Sequence, residues 1–157
     1  MNKVTKAAVL LAGLAIGAHA QLTGVGYDDG LGELTARIGL GANALDVGAS
    51  LSIDPDNAND DAHFLMSASG IFLGHLHDWG PVDTYFAAGG VFEKGSTASK
   101  NIHLSAIVGF QPEITLLEHI VVSNRIGLTV PLMPAFKLST SGQGISIVSG
   151  LNFKILF

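Results

Sequence analysis

The chain predicts an all-β fold, a closed antiparallel transmembrane β-barrel of eight strands, with ten strands as the alternative. Three observations carry this. Short segments in which apolar and polar residues alternate run from end to end of the chain, the period of a half-buried strand. Clusters of Gly, Pro, Asn and Asp separate them, and these are the residues that turn a chain. Mean hydropathy is positive, yet beyond the first twenty residues no stretch is apolar for the ~20 residues of a membrane helix. Lipid offers no water to an open sheet edge, so strands that cross it must close on themselves.

Residues 1–20 read as a cleavable signal peptide. Lys3 and Lys6 form a basic start, residues 7–18 an apolar run, and Ala18-His19-Ala20 a small-x-small site with cleavage between Ala20 and Gln21. One domain remains, 21–157. Losing two lysines moves the formal charge from −5 to about −7. Such acidity argues against nucleic acid, which selects a basic face. The chain has no cysteine, so no disulfide staples it.

The first strand is 21–27, short and weakly patterned. Next, Leu34, Ala36, Ile38 and Leu40 alternate with Glu33, Thr35, Arg37 and Gly39. After a turn at 41–43, Leu45, Val47, Ala49, Leu51 and Ile53 alternate with Asp46, Gly48, Ser50 and Ser52. Over 63–73 Phe64, Met66, Ala68 and Phe72 share one face, while Leu65, Ile71 and Leu73 spoil the other. Strands at 82–92, 102–110 and 120–130 follow, the last with Asn124 on its apolar side. The final strand, 145–157, carries Ile147, Leu151, Phe153, Ile155 and Phe157 on one face, with Asn152 and Lys154 opposite. Connections at 28–30, 54–62, 93–100 and 131–144 fall at one end of the barrel, and those at 41–43, 74–80 and 112–119 at the other. The ten-strand alternative adds 114–117 and 133–139. Small residues on the inward parity, among them Gly48, Ser50, Gly109, Gly127 and Gly150, suit the narrow interior that eight strands enclose.

The cleavage site, the alternating strands and the ending Leu151-x-Phe153-x-Ile155-x-Phe157 together resemble the small Gram-negative outer-membrane β-barrel superfamily, the class of the OmpX and OmpA transmembrane domains. The resemblance implies an outer-membrane location, contact with outer-membrane lipid, and a C-terminal strand (Leu151, Phe153, Ile155, Phe157) read by the barrel-assembly machinery. Members of that class range from tethers and adhesion proteins to enzymes and pores, so it implies no reaction.

The inward parity collects Glu33, Arg37, Asp46, His103, Arg125, Asn152 and Lys154. Buried charge must be paired to be tolerated, so the expectation is a polar network that plugs the lumen. The alternative is a charged constriction in a narrow passive pore. His75, His77 and Asp78 offer zinc or copper ligands, but no second ligand pair accompanies them, and a turn with Trp79 at the interface is the simpler reading. Asp54 to Asp61 is rich in oxygen ligands but lacks the EF-hand pattern: the sixth position is not Gly and the twelfth is Leu65. Glu118, His119 and Ser123 invite comparison with lipid A deacylases, whose His-x-Ser-Asn spacing they do not match. Residues 131–136 form an apolar stretch that extends the neighbouring strands or meets a partner. The expected protein is a structural or surface-interaction barrel, not an enzyme, with no cofactor. A secreted soluble barrel that binds a small ligand is the remaining alternative.

Overall fold

The computed structural model describes residues 21–54, 63–95, 102–133 and 146–157. They contain eight strands: β1 (Gln21–Asp28), β2 (Glu33–Leu40), β3 (Asn43–Asp54), β4 (His63–Trp79), β5 (Val82–Gly95), β6 (Ile102–Leu116), β7 (Ile120–Met133) and β8 (Ser146–Leu156). Each pairs antiparallel with its neighbours in sequence, and β1 pairs with β8, so the sheet is a closed barrel. Closure leaves no edge strand with unsatisfied backbone groups. The signal segment with Ala20, the acidic loop at 55–61, and residues 134–139 of the ten-strand alternative lie outside the described residues.

Alternation sets the two faces. Along β8, Leu151, Phe153 and Ile155 are about half exposed while Asn152 and Lys154 are buried. In β2, Glu33, Thr35 and Arg37 are buried between exposed Leu34 and Leu40. Asn124, on the outer face of β7, accepts a hydrogen bond from the Ser149 hydroxyl at 3.5 Å, which satisfies an otherwise isolated amide.

Two connections are much shorter than the sequence suggests. The turn expected at 74–80 shrinks to residues 80–81, because β4 continues through His75 and His77 to Trp79. A β-bulge between His75 and His77 switches the parity there, so simple alternation fails at that point. The connection expected at 112–119 shrinks to 117–119, and residues 114–116 continue β6 instead of starting an extra strand. Pro112 is what hides this. The β6–β7 pairing passes from Phe110↔Ile126 to Glu113↔Ser123, and Pro112, which has no N–H to give, falls in the gap. Pairing with β5 runs on unbroken through Tyr85↔Gln111, Thr84↔Pro112 and Asp83↔Glu113. Similarly β7 extends through Pro131 to Met133, and a bulge beside Leu132 accommodates the proline.

The interior has two halves. Against β3 to β6, Ala44, Ile71, Leu73, Ala87, Val91 and Ile107 pack into an apolar cluster. Ile71 and Leu73, which interrupt the polar face of the fourth strand in the sequence, are the centre of that cluster. The other half is polar and is built from β1, β2, β3, β6, β7 and β8.

Candidate functional site

Four carboxylates (Asp28, Glu33, Asp46, Glu113) and three cations (Arg37, Arg125, Lys154) are buried in the polar half. Arg37 is at its centre. Its Nε and Nη2 donate to Asp46 Oδ1 and Oδ2 at 2.8 and 3.0 Å, and its Nη1 and Nη2 donate to Glu113 Oε2 and Oε1 at 2.6 Å each. One planar guanidinium thus grips two carboxylates in fork geometry, the strongest arrangement available to such pairs. Asp46 stands beside Arg37 on the adjacent strand. Glu113 belongs to β6, which neighbours neither β2 nor β3 in the sheet, so the Arg37–Glu113 pair crosses the interior.

Arg125 repeats the pattern from β7. Its Nη1 donates to Asp28 Oδ2 at 2.6 Å and its Nε to Gln111 Oε1 at 2.8 Å. Gln111 in turn donates to Glu113 Oε1 at 2.7 Å and to the Ser123 hydroxyl at 3.3 Å, which links the two arginines. Asn152 turns its amide nitrogen to Asp28 at 2.8 Å, an orientation assigned from its partners. Lys154 Nζ lies 3.0 Å from Asp46 Oδ2 but off hydrogen-bond alignment, so it acts there as a point charge. Among the described residues Glu33 is in no ion pair. It accepts from the hydroxyls of Ser67, at 2.6 Å, and Ser69 on β4. Gly48 makes room for that contact, since a Cβ there would run into the Glu33 carboxylate and the Ser69 hydroxyl.

Six of the seven residues marked as inward polar positions therefore sit in the interior. His103 does not. It is exposed, opposite Glu93 at the far end of β5 and β6 and beyond the packed interior, although its parity is inward. Parity assigns a face but not a height along the strand. Sequence reasoning missed Asp28, Gln111 and Glu113 because it assigned Asp28 and 112–119 to connections and ended the sixth strand at 110, before Gln111. Ser67, Ser69 and Ser123 carried a usable signal, since each shares the inward parity of its strand.

At the other positions considered, the structure separates what the sequence set side by side. His119 is exposed in the turn, whereas Ser123 is buried and engaged with Gln111. His75 and His77 point to opposite faces: His75 packs edge-on to Tyr85, and His77 edge-on to Trp79. Phe157 donates its backbone N–H to Thr23 O at 3.1 Å, and the residue is 66% exposed.

Comparison with family models, with curated proteins and with solved structures found no match for this chain. What the fold and the site define is a closed eight-stranded antiparallel barrel bridged internally by ion pairs.

Proposed function

We propose that the protein is a small outer-membrane β-barrel with a structural or surface-interaction role, its lumen plugged by side chains. One observation carries this reading: polarity is inverted between inside and outside. Val25, Leu34, Leu51, Phe72, Phe86, Phe110, Ile126 and Phe153 all face outward and are exposed, while seven ionisable groups are buried within. A barrel dissolved in water would bear that distribution the other way round, and so wide an exposed apolar surface is not tolerated on a soluble monomer. Acyl chains would cover it, with burial contributing roughly 25 cal/mol per Å². The signal-like residues 1–20 and the terminal Leu151, Phe153, Ile155 and Phe157 support export and recognition by the assembly machinery.

The plug follows from Arg37. A pathway for ions through the polar half would have to part it from Asp46 or Glu113. Separating a buried charge from its partner costs about 3–5 kcal/mol.

Two measurements test the reading. After expression in a Gram-negative host, the protein should stay in the membrane pellet through a carbonate wash, and planar bilayers containing it should be electrically silent. Folded monomer in the carbonate supernatant would refute the membrane assignment. Steady unitary conductance would instead favour the narrow passive pore.

A further inference from the structure

We propose that His75, Asp78 and Asp83 form a zinc site at the end of the β4–β5 hairpin. The argument begins with the bulge. In an unbroken strand His75 and His77 would share a face and Asp78 would point away from both. The register shift between His75 and His77 reverses this, leaving His77 against Trp79 outside and bringing Asp78 round to the face of His75. Asp78 then stands in register with Asp83 on β5. Among the described residues, the ligand atoms of these three side chains lie within 4.8 Å of one another.

Two features mark this as more than a chance group of acids. Like charges directly opposite in a sheet are destabilising, and here the row of acids runs across three strands through Asp78↔Asp83↔Glu113. Glu113 is neutralised by Arg37, whereas among the described residues the one side chain within ion-pair distance of Asp78 is His75 itself, Nε2 to Oδ1 at 2.5 Å, which bears a charge only when protonated. A divalent ion held between the two aspartates removes the repulsion. The imidazole is also held in place: the His75 backbone N–H donates to Asn43 Oδ1 at 3.0 Å, and the ring packs edge-on to Tyr85 at 5.5 Å.

The donor set selects the metal. Calcium takes six to eight oxygens and magnesium keeps most of its water, whereas one imidazole and two carboxylates are ligands zinc accepts at about 2.0–2.2 Å. Ligands on one such ion stand about 3.3 Å apart, so the group must contract slightly. Asp78, 62% exposed in its side chain, is free to do so. Zinc would enter in place of the His75–Asp78 hydrogen bond, with the remaining positions taken by water.

The test is calorimetric titration of zinc into the purified full-length mature protein in micelles, with fluorescence of the single Trp79 as a second signal. One ion per chain should bind. Asp83→Asn and His75→Ala should each weaken it about 100-fold, His77→Ala should leave it unchanged, and calcium should not compete. Absence of zinc binding by the wild-type protein would overturn the site. So would undiminished affinity in Asp83→Asn, a substitution at an accessible hairpin position that spares the fold, or loss of binding in His77→Ala.

Discussion

Arg125 and Lys94 carry the same charge in opposite settings, and the difference can be measured. Arg125 is buried against Asp28 and Gln111, whereas Lys94 is exposed near the end of β5. Replacing Arg125 by Leu leaves the buried Asp28 carboxylate without its cationic partner, holding only the Leu31 N–H and the Asn152 amide among the described residues, and the expected loss is about 3–5 kcal/mol. Lys94→Leu should stay within about 0.5 kcal/mol. Urea unfolding midpoints in micelles check this, and equal midpoints would contradict the structural role of the pair. A finer contrast lies among the acids. Asp46 is shared by Arg37 and Lys154, while among the described residues Glu33 has two serine hydroxyls. An amide can accept from one hydroxyl and donate to the other, so Glu33→Gln should cost about 1 kcal/mol or less. Asp46→Asn, which takes the charge from the carboxylate beside Lys154 and leaves Arg37 with Glu113 alone, should cost several times more. The same unfolding experiment ranks the two variants.

At the scale of the elements, two glycines on adjoining strands predict opposite responses. Gly48 lies under the Glu33 carboxylate, where a methyl group has no room. Gly48→Ala should therefore destabilise by about 1–3 kcal/mol through overpacking. Gly70, on β4, has open space where its Cβ would stand. Gly70→Ala should be neutral or stabilise by up to about 1 kcal/mol, since it narrows the unfolded ensemble; thermal melts of the two variants decide. Legibility also divides at this scale. Strands such as β2, β3 and β8, where one face is apolar and the other small or polar, stand out in the sequence. The ends of β4 and β6 do not, because a bulge reverses the parity in one and Pro112 imitates a stop in the other. The closing turn of β6 and β7 lacks its usual marker too. Leu117 and Glu118 hold φ of 52° and 65°, positions that Gly or Asn ordinarily fill.

For the whole molecule, closure depends on its shortest seam. β1 meets β8 only over Gly24–Asp28, whereas β4 and β5 pair from Leu65 to Trp79. Local opening should follow that inequality. Backbone amides of β1 and β8 are expected to exchange with deuterium faster than those of central β4 and β5, and uniform protection would argue that the barrel opens only as a unit. The interior pairs work at the same scale, since Arg37–Glu113 and Arg125–Asp28 join strands that are distant in the chain. Sequence alone determined the all-β class and which face most residues take, because alternation is a local property and a strand has only two sides; the choice of eight strands over ten was left to the structure. The tertiary structure decided who meets whom: that Arg37 reaches Glu113 across the barrel, that Ile71 and Leu73 make an apolar half to the interior, and that His75 joins Asp78 and Asp83 instead of His77. Those outcomes depend on the register between strands, on a bulge, and on height along the barrel axis, and none of these leaves a periodic trace in one strand read by itself.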